Sequence, residues 1–186
     1  EITTSSSPRE YRYIGPNPNN YIRFNNELWR IIGIFDGQLK IIRNESRGMD
    51  WDINDVNDWS KASLQTYLNN DYYGSIALMY PSDYGFATSG GSTTNRSSCL
   101  AKELYNWDSV EDCYTNSWLY DSSKRQWTLT PNASSSTDVF RVFSGGHVGG
   151  TLNASWADDS RPVVYLNSNV MYISGSGTSS DPYILQ

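Results

Sequence analysis

The chain has 186 residues and a formal charge of −6, with 38% hydrophobic and 14% aromatic residues, enough for one domain with a sizeable core. Lys and Arg are spread without long runs, which sets nucleic acid aside because phosphate backbones require clustered cations. No stretch approaches the roughly 18 apolar residues of a membrane helix, and the N-terminus lacks the regions of a signal peptide, so a trimmed chain without a membrane segment is expected.

With 14 Tyr and 7 Trp beside modest Leu, Ile and Val, rings must supply much of the buried area. Residues 1–10 read as a Ser/Thr-rich lead-in, flexible or exchanged with a neighbour, and residues 11–186 as one domain. Tyr21–Phe24, Leu28–Phe35 and Leu39–Arg43 are β-rich runs divided by Asn25-Asn26 and Asp36-Gly37. Such pairs favour tight hairpin turns, so an antiparallel meander is expected. After Asn57 the period changes. Trp59, Ala62, Leu64, Tyr67 and Leu68 fall near helical spacing, with Asp58 as N-cap and Asn69-Asn70 as stop, predicting one amphipathic helix of about three turns. A second, shorter helix is expected over Ser98–Tyr105, with Tyr80–Gly85 and Gly90–Thr94 as loops. Further strands are read at Ser117–Tyr120, Gln126–Thr130, Val139–Phe143 and Arg161–Leu166. Asp181-Pro182 then starts a closing turn, and Tyr183–Leu185 forms a terminal strand expected to pair near the N-terminal ones. The fold class is α+β, mainly antiparallel β with one or two short helices, the first packed on a sheet.

Cys99 and Cys113 lie in polar sequence and would close a modest loop. A disulfide is the expected use, adding roughly 3 kcal/mol in the chain-entropy model outside the reducing cytosol. Two free thiols are the alternative. A metal use lacks both a Cys-x-x-Cys pair and a nearby His.

Candidate chemistry is sparse. His147, the only histidine, lies in the flexible run Ser144–Gly150, better suited to a hairpin tip than to a fixed general base. Asp50, Asp52, Asp55 and Asp58 share one loop, whereas glycosidase chemistry needs two carboxylates held across a cleft. Asp50-x-Asp52-x-Asn54 begins like an EF-hand, but the sixth position lacks Gly and Lys61 occupies the twelfth, where Glu belongs. The cluster is expected to serve the helix N-terminus electrostatically, with an irregular calcium site at Asp50, Asp52 and Asn54 as the alternative. Trp51, Trp107, Trp118 and Trp156 stand beside turn-forming residues rather than inside apolar runs. Trp107, Trp118 and Trp156 are therefore candidate rings for stacking on a sugar or a partner protein.

The motif Trp59-x-x-x-Ser63-Leu64-x-x-Tyr67-Leu68-Asn69 resembles the helix of an uncharacterised family of extracellular bacterial domains, frequent in gut Gram-positive bacteria and found on surface and prepilin-like proteins. Tyr13-Ile-Gly through Trp29-Arg-Ile-Ile-Gly is similar to its opening. Trp118-Leu119, Trp127-Thr-Leu-Thr-Pro131 and Arg161-Pro-Val-Val-Tyr-Leu166 follow in its order. The end, Gly175-Ser-Gly-Thr-Ser-Ser-Asp-Pro-Tyr-Ile-Leu185, resembles closing segments of bacterial surface and secreted modules. The resemblance implies a single extracellular domain at the bacterial cell surface, with a layout similar to C-type lectins and the formylglycine-generating enzyme. Thr130-Pro131-Asn132 and Trp156-Ala157-Asp158-Asp159 are faintly similar to lectin calcium elements, which adds Asn132 and Asp158 as weak ligands, although Thr130 and Ala157 replace ligating types. The expected function is a non-catalytic surface module without a required cofactor. It is either an adhesion head that binds glycan or protein, or a pilin-like filament subunit that contacts copies of itself. In the subunit reading, residues 1–10 exchange strands, the Ile2–Ser7 stretch inserting into a neighbour's sheet edge. A polysaccharide-acting enzyme using acidic residues is the further alternative.

Overall fold

The structure, a computed structural model, describes residues 2–3, 10–71, 76–167 and 169–186. In chain order its elements are β1 (Ile2–Thr3), β2 (Tyr11–Arg12), β3 (Tyr21–Phe24), β4 (Glu27–Phe35), β5 (Gln38–Arg43) and β6 (Arg47–Asp50). A 3-10 turn at Trp59–Lys61, α1 (Ser63–Asp71), β7 (Ile76–Ala77), α2 (Pro81–Phe86) and α3 (Arg96–Leu100) follow. A second 3-10 turn at Leu104–Ser109 and α4 (Glu111–Thr115) lead to β8 (Gln126–Pro131), β9 (Asp138–Val142), β10 (Val148–Asn153) and β11 (Ala157–Ser160). The chain closes with β12 (Val163–Leu166), β13 (Tyr172–Ser174) and β14 (Ile184–Leu185). The class is α+β, dominated by antiparallel β-sheet.

Among the described residues the first sheet has the order β1-β2-β4-β5-β12-β7, with β3 also paired to β4, and the second has the order β10-β9-β8-β11-β6. The expected meander is present. Asn25, Asn26, Asp36 and Gly37 all have positive φ, the geometry that matches a two-residue turn to the twist of its flanking strands. Tyr183 also meets the N-terminal strands as expected. Its N–H donates to the Tyr21 carbonyl, and its own carbonyl accepts from Arg23.

β4 is covered on both faces. Trp29 and Ile31 join Ile22 and Ile41 in one cluster, while Ile32 and Ile42 face a second cluster with Tyr84, Trp107, Trp118 and the Cys99–Cys113 pair. A third cluster gathers Trp51, Leu64, Leu68, Trp127 and Leu152, which packs α1 against the second sheet. Inside the helical layer, Lys40 of β5 reaches Asp83 of α2 at 2.5 Å, with both side chains 2% exposed.

Several elements depart from expectation. The expected single helix divides at Ala62, whose ψ of 135° is extended, into the 3-10 turn capped by Asp58 and α1. Tyr80–Gly85, expected as loop, is mostly helical: Pro81 sits at the first helical position, and Asp83 accepts from the Tyr80 N–H in a capping-box arrangement. The second expected helix is α3 followed by a 3-10 turn. Ser117–Tyr120, expected as a strand, forms only bridges from Ser117 to Gly15 and Thr88. In the N-terminal lead-in, Ile2 and Thr3 pair with Arg12 and Tyr11, while residues 4–7 of the stretch expected to exchange lie outside the described residues.

Cys99 and Cys113 form a disulfide joining α3 to α4 across 14 positions, with both cysteines fully buried. Replacing both by Ser is expected to lower unfolding free energy by roughly 3 kcal/mol, read from denaturant midpoints of protein prepared without reductant. The loop before α3 is tied to α4 by Asp112, which accepts from the Thr93 hydroxyl and from the N–H groups of Thr93 and Thr94. Bonding to Thr93 leads the effects that lower the Asp112 pKa below 3.8. A depressed carboxylate pKa contributes stability above the unfolded value that is lost as pH falls through the folded one. The Thr93 and Thr94 amide resonances are therefore expected to titrate together with a midpoint below 3.8, and to lose that transition in Asp112→Asn.

Candidate functional site

The face of the first sheet that carries Ile31 is only partly roofed, and an open groove of about 410 Å3 remains there. Its floor is Ile31, Ile34 and Leu39 of β4 and β5, and its near wall is Tyr11 and Tyr13. Gly33 sets that wall. A Cβ at this position would stand 2.2 Å from the Tyr11 carbonyl oxygen, so β2 approaches β4 this closely only because the side chain is absent. The far wall is the β13–β14 hairpin with Tyr172, Tyr183 and Leu185. Tyr172 and Tyr183 meet edge to face, with ring centroids 6.0 Å apart.

The lining is mainly apolar, with Asn167 adding a polar side chain. Arg12 also borders the groove, but its guanidinium donates to Glu10 and Asp83 and lies over the rings of Phe35 and Phe86. Ile34 is 40% exposed, and Met171, Tyr172 and Ile173 are more than half exposed. Of these, Ile34 and Tyr172 line the groove, and concave, mainly apolar surfaces of about this volume are where small ligands are usually held.

A second, polar cleft of about 370 Å3 includes Arg30, Arg161, Lys124, Glu45 and Asp121. Its charges have partners within the fold. Arg30 donates to Asn20 and is flanked by the rings of Tyr21 and Trp118, each 4.4 Å away. Arg161 donates to the Arg43 carbonyl. Desolvation lowers both guanidinium pKa values to about 10.

The tryptophans expected at a ligand surface separate into two groups. Trp107 and Trp118 are a correction: they are 0% and 5% exposed, and their indole N–H groups donate to the carbonyls of Cys99 and Tyr13. Flanking turn residues placed them beside loops, but those loops fold inward over the rings. Trp51 is likewise fully buried and donates to Thr128. Trp156 is 61% exposed on the β10–β11 connection.

The acidic loop serves the backbone. Asp52 accepts from the N–H groups of Asn54, Val56 and Ser63, the last at the start of α1. Asp55 accepts from Ser155 and Asn153, and Asp58 accepts from Ser60. Asn54 is exposed in the turn, and Asp50 pairs with Ala157 in the β6–β11 ladder. Asn132 donates to Gly150 and accepts from Ser134. Asp158 is held by Arg141 and by Arg125 at 3.2 Å; desolvation is the largest effect on its pKa and raises it. Among the described residues these weak calcium candidates do not converge, and no group of three or more His, Cys, Asp or Glu is arranged to hold a metal ion. His147 lies just after the β9–β10 turn, stacked on Phe143, with Nδ1 3.8 Å from Asp108.

Sequence reasoning missed the groove because its walls come from residues 11–13 and 167–185 and its floor from β4 and β5. The exposed run Met171-Tyr172-Ile173 was the one local signal available. Comparison of the chain with protein-family models, curated proteins and solved structures finds no match.

The two groups of tryptophans make different demands on stability. Trp107→Ala is expected to cost about 3–5 kcal/mol through cavity formation, whereas Trp156→Ala is expected to stay within about 0.5 kcal/mol of the parent. Denaturant unfolding of the two variants checks both values.

Proposed function

We propose that this chain is a non-catalytic module of the bacterial cell surface, and that it binds an extended glycan or protein segment in the groove between the first sheet and the C-terminal hairpin. The observation that carries this reading is the groove itself: Tyr11, Tyr13, Tyr172 and Tyr183 line one open trough. Tyrosine supplies large contact area at low conformational-entropy cost, and its ring stacks as readily on a sugar face as on a peptide. The buried disulfide supports an oxidising, extracellular address.

A filament subunit is the second reading, favoured by one feature. Ile2 and Thr3 add to the sheet through Tyr11 and Arg12, and the same pairing made between copies would join neighbours by strand addition.

Tyr172→Ala, whose side chain is largely exposed, is expected to abolish a glycan-array or peptide-array signal while the melting temperature stays near that of the parent. A retained signal rejects the groove as the binding face. Deleting residues 1–10 separates the two readings, because a binding head keeps its signal as a monomer and a filament subunit loses its fibres in electron micrographs.

A further inference from the structure

Lys40 and Asp83 meet as a buried, hydrogen-bonded pair between β5 and α2. Lys40 Nζ stands 2.5 Å from Asp83 Oδ2, and each side chain is 2% exposed. Aromatic rings surround the amine, with the centroids of Tyr80, Tyr165 and Phe35 lying 5.0, 5.2 and 5.4 Å from Nζ. The carboxyl is fixed from two further sides: Tyr80 N–H donates to Oδ2 at 2.8 Å, and Arg12 Nη1 faces Oδ1 at 3.4 Å. Arg12 is in turn held by Glu10 at 3.1 Å and by the faces of Phe35 and Phe86.

We propose that Lys40 and Asp83 condense to an intramolecular amide that covalently joins β5 to α2. The ammonium passes one proton to Oδ2 across their hydrogen bond, leaving an amine and a carboxylic acid. The Nζ lone pair then attacks Cγ. Negative charge develops on Oδ1, opposite the Arg12 guanidinium, which is the position where a fixed cation most stabilises such an addition step. Nζ gives up a second proton, Oδ2 departs with both as water, and the third proton stays on the amide nitrogen. The N–C bond formed replaces the C–O bond broken, so no oxidant, reductant or other reactant is needed.

Two physical effects favour the product. Holding amine and carboxyl in contact confers effective molarities of about 10⁵–10⁸ M in well-oriented intramolecular reactions. Both side chains are 2% exposed, so bulk water has little access to the amide for hydrolysis. Condensation further removes two charges whose burial is expensive as an ion pair and replaces them with a neutral amide whose remaining oxygen, Oδ1, faces Arg12.

The test is the intact mass of the purified wild-type chain, reduced and unfolded, followed by tryptic mapping. The expected mass is lower than that of the sequence by one water. A branched peptide should join the segment containing Lys40 to that containing Asp83, with no cleavage after Lys40. Full sequence mass with normal cleavage at Lys40 overturns the proposal and leaves an ion pair. A one-water deficit without the branched peptide also overturns it, because cyclisation at Asp36-Gly37 to a succinimide removes the same mass. In chains recovered unfolded from inclusion bodies at full sequence mass, Arg12→Gln is expected to slow the appearance of the branched peptide once denaturant is removed, and Asp83→Ala to eliminate it. A branched peptide formed at the parent rate in Arg12→Gln rejects the role given to Arg12.

Discussion

Burying cations in a chain with modest aliphatic content is the constraint from which the rest of the architecture follows. The first sheet is covered on both faces, yet its interior strands carry Arg30 and Lys40. Each is tolerated because the surrounding segments supply what water would have supplied. Asn20 and the rings of Tyr21 and Trp118 meet Arg30, and Asp83 with three aromatic faces meets Lys40. The second sheet repeats the solution with Arg141, Asp158 and Phe143. Removing one member of such a pair leaves a buried charge and costs about 3–5 kcal/mol, even where the intact pair contributes little net stability. These contacts therefore specify arrangement more than they add free energy. Asp83 shows how: the carboxylate that meets Lys40 also caps α2, so the charge and the helix are positioned together.

That division of labour explains why the two faces of the first sheet differ. The face toward α2 and the disulfide is closed by helices, by the buried rings of Tyr84, Trp107 and Trp118, and by the second sheet. Among the described residues the other is covered by the C-terminal segment, by β3 and by the residues before it, which contribute Tyr183, Leu185, Phe24 and Tyr13. The groove is the part of that face left over. Its tyrosines serve as core toward the sheet and as surface toward solvent, which a chain rich in rings achieves more readily than one rich in leucine.

What could be read from the sequence had local causes. The meander from Tyr21 to Arg43 was legible because Asn25-Asn26 and Asp36-Gly37 determine turn type, and turn type determines register. The acidic loop was legible as a capping device at Asp58, which lies just before the turn whose N–H it accepts, whereas Asp52 reaches Ser63 across 11 positions. The helix at Pro81 was missed because Pro, Ser, Asp and Gly are turn formers by composition, and only the reciprocal bonding between Tyr80 and Asp83 turns them into a first helical turn. Trp107 and Trp118 were misplaced because polar neighbours in sequence say nothing about the Cys99 and Tyr13 carbonyls that accept their N–H groups across loops. The groove and the Lys40–Asp83 contact both join segments far apart in the chain, beyond the reach of any periodicity.

The closing segment is fixed against the chain before β3 and against β3 itself. Gly177 has a φ of +76°, and a Cβ there would stand 2.6 Å from the Asn19 carbonyl oxygen, so the turn passes against the chain before β3 only as glycine. The Gly177 carbonyl accepts from Tyr21 N–H, and Asp181 accepts from Ser176. Tyr183 is then fixed between the Tyr21 and Arg23 backbone groups. The far wall of the groove is thus anchored to the same β3–β4 hairpin whose β4 strand, with β5, forms the floor. On the binding reading proposed above, a wall held in this way has little conformational entropy left to lose, a saving that favours affinity without any additional contact. On the same reading, the C-terminal residues are a wall of the groove rather than a tail, since loosening the turn at Gly177 would free Tyr183 and open the trough from one side.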